Sequence, residues 1–229
     1  MKIGFLTAVL SEIPLDEVLR WAGRNGFSAV ELHCDLQPEG PLYLPGALNV
    51  ARVDQASAQG LHGLAAECGV EISCLTRCLN MLDADPERRR ANLDLARRIV
   101  EAAALLNVDV VSSFAGRDLT RPVDDNLGLF ADVFAPLCSE AAARGVRIAI
   151  ENSPFIGGPA GDQVQNIAFS PRVWRRMFQA VPNFGLNFDP SHLYWMGVDY
   201  LAALREFAGH VFHVHLKDTE ILDSELADG

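Results

Sequence analysis

The sequence predicts an α/β fold arranged as a (β/α)8 barrel, and three observations carry that expectation. Short apolar runs and longer stretches of helical spacing alternate without a break along the 229 residues. This is the pattern of a parallel sheet with helical crossovers. Polar residues close the strands at their carboxyl ends, where barrels place their chemistry. No GxGxxG follows the first strand and no GxxxxGKS/T occurs anywhere. The open, doubly wound sheet, the other fold of this pattern, thereby loses its usual nucleotide-binding supports.

Residues 3–9 (IGFLTAV) read as the first strand. Pro14 opens a helix with Leu15, Val18, Leu19 and Ala22 on one face, and Gly26 ends it. Ala29–His33 is a second strand, followed by a turn-rich loop over 35–50 with Pro38, Gly40, Pro41 and Pro45. A helix over 51–68 closes at Gly69, and Val70–Leu75 is the third strand. A long helix runs from Pro86 to about Leu106, and Val108–Ser113 is the fourth strand. The next helix carries Leu127, Phe130, Phe134, Leu137 and Ala141; Pro136 inside it predicts a kink. Val146–Glu151 is the fifth strand. A long loop then leads to Ser170-Pro171, an N-cap and first-turn pair for a helix with Val173, Met177, Phe178 and Val181. Phe184–Asp189 is the sixth strand, ended by Pro190, which has no ladder donor. Asp199 caps a further helix, and His210–Leu216 is the seventh strand. No composition shift marks a linker, so residues 1–229 read as one domain. No eighth strand is visible, and the expectation is a barrel incomplete at its carboxyl end.

Hydrophobic residues make up 49% of the chain, enough for a sizeable core. The net charge of −11 disfavours a phosphate backbone, so no nucleic-acid partner is expected. The apolar start is too short for a membrane span and lacks a cleavage pattern. Five cysteines without a CxxC suggest free thiols in a reducing cytoplasm.

Strand parity points to a site. Ile148 and Ile150 face one way in the fifth strand; Arg147, Ala149 and Glu151 face the other. In the sixth, Asp189 shares a face with Gly185 and Asn187. In the seventh, Phe212, Val214 and Leu216 are expected to face the helices, and Val211, His213, His215 and Lys217 the interior. Glu151, Asp189 and His215 thus converge at the barrel mouth, and two carboxylates with one imidazole suit one divalent cation: Mn²⁺, Mg²⁺, Co²⁺ or Zn²⁺. His192, just past the sixth strand, can reach substrate or metal. His213 reads as a deeper interior residue. Lys217 reads as a substrate contact or a partner of Asp218. Glu31 and His33 share one face of the second strand and are candidate mouth residues. Trp195 and Phe5 are candidates for an apolar substrate wall or for packing. Asn152 and Asn187 could orient ligands.

The motifs IAIEN, GLNFDPSH and HVHLKD, in this order, resemble the xylose isomerase-like barrel superfamily. That group includes ketose 3-epimerases, sugar-phosphate isomerases, hydroxypyruvate isomerase, inosose dehydratase and apurinic endonucleases. The resemblance implies that Glu151 is a metal ligand and base, that Asp189 and His215 are ligands, and that His192 contacts substrate. It implies an isomerase or epimerase of a small sugar or keto-polyol working through an enediolate. A dehydratase of a keto-inositol type substrate and an inactive metal- or sugar-binding barrel are the alternatives. It also implies homodimers, which such barrels often form. The family's fourth ligand is a glutamate on the eighth strand, for which this sequence shows no counterpart. Thr76-Arg77 and Ser112-Ser113-Phe114 end the third and fourth strands without histidine. That leaves room for one metal rather than the endonucleases' three.

Overall fold

The computed structural model describes residues 2–157, 163–222 and 224. Strand β1 (Gly4–Leu6) is short and turns into a 3-10 segment at Thr7–Leu10. Helix α1 (Leu15–Arg24) and strand β2 (Ala29–Asp35) follow. The loop expected over 35–50 contains two short strands, β3 (Tyr43–Leu44) and β4 (Ala47–Asn49). Helix α2 (Gln55–Cys68) starts later than the spacing suggested. Asp54 and Ser57 form a reciprocal capping box that fixes its first turn, and Gly69 closes it in the left-handed region at φ 66°. Strand β5 (Glu71–Thr76), helix α3 (Pro86–Leu105), strand β6 (Val110–Ser113) and helix α4 (Val123–Ala142) continue the alternation. Pro136 lies within α4, which runs on as one helix.

Strand β7 (Arg147–Glu151) leads into a small hairpin, β8 (Ile156–Gly157) with β9 (Gln163–Val164). Helix α5 (Pro171–Ala180) and strand β10 (Gly185–Phe188) come next. A short helix not foreseen from the sequence, α6 (Pro190–Trp195), follows at once. Helix α7 (Tyr200–Phe207) and strand β11 (Val211–Val214) complete the described elements.

The main sheet runs β11-β10-β7-β6-β5-β2, all parallel, with β1 and β4 sharing the remaining edge of β2. The sheet curls until Glu31 of β2 meets His213 and His215 of β11. The result is a TIM-barrel-like fold. Among the described residues no strand joins β11 to β1.

Residues alternate between two environments, as a period of two requires. Val30, Leu32, Leu75, Val111, Ile148, Ile150, Leu186 and Phe188 face outward into the core shared with the helices. Glu31, Ser112, Glu151, Asn187 and His215 face inward, joined to one another by hydrogen bonds and ion pairs. Two bulges interrupt the alternation. Val30 pairs with Ile72 but Glu31 pairs with Cys74, so Ser73 is the extra residue of β5. Leu186 pairs with Val211 but Asn187 pairs with His213, so Phe212 is the extra residue of β11.

The second bulge corrects the parity expected for the seventh strand. Val211 packs against the outer core, whereas Phe212 packs inward on Cys74, Val110 and Ala149. The reason is Gly185: its missing side chain leaves the space that the Phe212 ring fills, and an added Cβ would lie 2.3 Å from that ring. From His213 onward the inward face is as expected. Val214 and Leu216 are 45% and 75% exposed, because no described helix follows β11 to cover them.

Gly185→Ala should therefore lower the unfolding free energy by about 1–3 kcal/mol, the usual cost of overpacking. Pairing it with Phe212→Ala should cost less than the sum of the two single changes in urea denaturation. Strict additivity would contradict the contact.

Candidate active site

The carboxyl ends of β7, β10 and β11 bring three ionisable side chains together. Oxygens of Glu151 and Asp189 and a ring nitrogen of His215 all lie within 4.8 Å of one another. Each is positioned by a different local device. Asp189 is fully buried and caps α6: its Oδ1 accepts from the Ser191 backbone N–H at 2.9 Å and from the Ser191 hydroxyl at 2.5 Å. Oδ2 is thereby left to face the mouth. Asn152 clamps the two strands, accepting from the Asp189 N–H at 2.6 Å and donating to the Asp189 carbonyl at 2.8 Å. Asn166, also fully buried, donates to the carbonyls of Glu151 and Ser153 and accepts from the N–H groups of Ala115 and Gly116. It ties the ends of β6 and β7 and fixes the backbone that presents Glu151. Sequence reasoning missed Asn166 and Ser191; an Asx cap after a Pro-terminated strand was the only signal for the latter.

His215 continues the ladder past β11, its N–H donating to Phe188 at 3.0 Å. Its ring bridges two carboxylates: Nε2 is 2.6 Å from Glu31 Oε2 and Nδ1 is 3.5 Å from Glu151 Oε1. The Lys217 ammonium contacts Asp189 Oδ2 and lies 3.7 Å from Glu151 Oε1 and 3.2 Å from His192 Nε2. His192 Nε2 is 3.5 Å from Glu151 and 3.4 Å from Asp189. Trp195 meets the His192 ring edge-on at 6.2 Å and is partly exposed. Of the two candidate mouth residues of β2, Glu31 contacts His215, is 3% exposed, and has Oε2 also 3.1 Å from His213 Nε2. His33 stands nearer the rim, its Nε2 accepting from the Arg77 guanidinium at 2.7 Å. Phe5 lies away from this group, packed on Trp21 and Phe27.

Charge explains the ionisation states. Burial pushes the Glu151 carboxyl up, but hydrogen bonds from His192 and His215 outweigh it and hold its pKa at about 2. Glu31 behaves alike: burial opposes, the His213 and His215 hydrogen bonds prevail, and its pKa is about 2. Burial disfavours the His215 imidazolium, yet its bonds to Glu151 and Glu31 raise its pKa to about 10. Burial, then the Arg77 charge, lowers that of His33.

These features define a TIM-barrel-type fold with an ionised cluster at the carboxyl ends of its strands. Residues 19–227 match the family model of the xylose isomerase-like TIM barrel, and the chain belongs to that family. It is 28% identical over 246 residues to the uncharacterized protein YfiH of Bacillus subtilis (strain 168), a match covering 96% of this chain and 74% of that protein. Among solved structures it resembles the probable 3-DHS dehydratase AsbF of Bacillus anthracis, with TM-score 0.73, 14% identity, and coverage of 97% of this chain and 75% of that one. An L-ribulose 3-epimerase gives TM-score 0.73 and 18% identity over 97% and 74% of the two chains. The IOLI protein, solved with a zinc atom, gives 0.71 and 20% over 97% and 74%. At these identities the likeness to the solved structures is one of fold.

The shifts predict a pH signature for the metal-free protein. Glu31 and Glu151 have folded pKa values below the ordinary 4.5, so their contribution is complete above 4.5 and is lost as pH falls toward about 2. His215 is raised above the ordinary 6.5, so its contribution is complete below 6.5 and is lost as pH rises toward about 10. The difference in urea midpoint between wild type and Glu31→Gln should therefore peak between pH 4.5 and 6.5 and shrink on both sides. A difference independent of pH would contradict the assignment.

Proposed function

We propose that the chain is a divalent-metal-dependent isomerase or epimerase of a small sugar or keto-polyol. The observation that carries this reading is the convergence of Glu151, Asp189 and His215 at the strand ends, with positive charge from Lys217 and His215 drawn onto the two carboxylates. The donor set fits one divalent cation: two carboxylate oxygens and an imidazole suit Mn²⁺, Mg²⁺, Co²⁺ or Zn²⁺. Glu31 supports the fit from behind. It engages His215 Nε2 while Nδ1 faces the carboxylates, the arrangement in which a buried carboxylate fixes the ring of a metal-binding histidine. The cation, when bound, polarises a substrate carbonyl.

The chain's own residues supply the remainder. Glu151 is ionised throughout the neutral range, the form that accepts a proton from the carbon beside the carbonyl. His192 and Lys217, 3.2 Å apart at the mouth, hydrogen-bond the substrate oxygens. Trp195, beside His192, offers an apolar wall to the carbon face of the substrate. His33 and Arg77 line the rim on the β2 side. The acidic chain argues against a nucleic-acid substrate. No described helix is long and apolar enough to cross a membrane.

A dehydratase is the second reading, favoured by the likeness to the probable 3-DHS dehydratase. It begins with the same proton abstraction and differs in losing a hydroxyl from the next carbon.

Metal-loaded protein should incorporate deuterium from D₂O beside the carbonyl of a keto-sugar or an inosose. Glu151→Gln should slow this by roughly 10²–10⁴-fold. Exchange with recovery of a ketone or its epimer supports the isomerase; irreversible loss of water supports the dehydratase; exchange in no ketone overturns both. Glu31→Gln should weaken binding of the cation by about 10–100-fold in calorimetry, and an unchanged affinity would remove Glu31 from its supporting role.

A further inference from the structure

Below the mouth, a second group of donors stands one layer deeper in the barrel. A carboxylate oxygen of Glu31, the thiol of Cys74 and a ring nitrogen of His213 lie within 4.8 Å of one another. They come from β2, β5 and β11, and the two bulges bring them together. The extra Ser73 sets Cys74 opposite Glu31, and the extra Phe212 turns His213 inward. Cys74 is fully buried and Glu31 is 3% exposed.

Two further observations point to a ligand here. The Glu31 carboxylate is used asymmetrically: Oε2 takes both imidazoles, at 2.6 and 3.1 Å, while Oε1 is buried with no hydrogen-bond partner among the described residues. A buried carboxylate oxygen left so is costly unless something meets it. The second observation is access. A cavity of about 570 Å³, lined among others by Ser73, Val110, Arg147 and Phe212, reaches His213 from the amino-terminal ends of the strands. Cys74, Val110, Ala149 and Phe212 provide the apolar surround in which such sites hold their ions.

We propose that Glu31, Cys74 and His213 form a second metal site, distinct from the Glu151–Asp189–His215 centre and selective for a thiophilic divalent ion, Zn²⁺ or Co²⁺. The sulfur, nitrogen and oxygen donors match the ligand types of zinc and disfavour Mg²⁺ and Ca²⁺. Donors on a tetrahedral zinc stand roughly 3.3–3.8 Å apart, so side-chain rotations of about an ångström gather the three. Glu31 Oε1 takes the ion while Oε2 keeps His215, which links the two layers through one carboxylate. Binding converts the Cys74 thiol to a thiolate and releases that proton to solvent.

Chelator-treated full chain titrated with Co²⁺ provides the test. The expected result is two ions bound per chain by metal analysis, with a near-ultraviolet cobalt–thiolate absorption band. Cys74→Ala should abolish the band and one ion. The double change Glu151→Gln with Asp189→Asn should remove the other ion and leave the band, so failure of the mouth centre and failure of this site read differently. If Cys74→Ala does not fold, Cys74→Ser and His213→Gln provide the same comparison, and the wild-type titration decides by itself. No thiolate band in saturated wild type, or a band that survives loss of Cys74, would overturn the proposal.

Discussion

Three carboxylates, those of Glu31, Glu151 and Asp189, are buried inside one barrel, and the molecule is organised around neutralising them. Burying a carboxylate at such low exposure is costly without partners. Partners come from α6, where His192 lies beside Glu151 and Ser191 donates to Asp189, and from β11 and the residues after it: His215 bridges Glu31 and Glu151, His213 adds a bond to Glu31, and Lys217 reaches Asp189. Electrostatics thus ties β11 to β2, although the two share no backbone hydrogen bonds. The same concentration of negative charge at the strand ends is what a divalent cation would meet.

Positioning is divided between backbone and side chains. The parallel ladder places Glu151 beside Asn187, and Pro190 ends β10 so that Asp189 caps α6 with one oxygen and offers the other. Asn152 and Asn166 lock the strand ends to one another. Both are fully buried and hydrogen-bonded through their amides, so they rigidify the rim instead of burdening it with unpaired groups. The bulges in β5 and β11 re-aim the deeper layer, where Cys74 and His213 approach Glu31.

Much of this was legible in the sequence because the relevant signals are local. Strand–helix alternation, the proline that ends β10 and the parity of Ile148, Ile150 and Glu151 depend on neighbours along the chain, and they located the barrel strands among the described residues and the strand ends where Glu151, Asp189 and His215 approach one another. The misjudged features depend on neighbours in space. Val211 and Phe212 exchange faces because Gly185, on the adjacent strand, leaves room for a ring, and no periodicity within β11 contains that fact. Helix α6 is six residues long and rests on the Asp189 cap, too short to display a helical stripe. Asn166 works from a loop fifteen positions beyond the glutamate it supports. The xylose isomerase-like motifs carried the family, and membership now rests on the match over residues 19–227.

The proposed activity requires a cation held jointly by Glu151, Asp189 and His215. Anomalous diffraction from crystals grown with Mn²⁺ tests it most directly. The predicted result is a strong peak about 2.0–2.3 Å from a carboxylate oxygen of Glu151, one of Asp189 and a ring nitrogen of His215, with the Lys217 ammonium displaced from Asp189. Saturating Mn²⁺ with no peak among these three residues, and Lys217 still paired to Asp189, would contradict it.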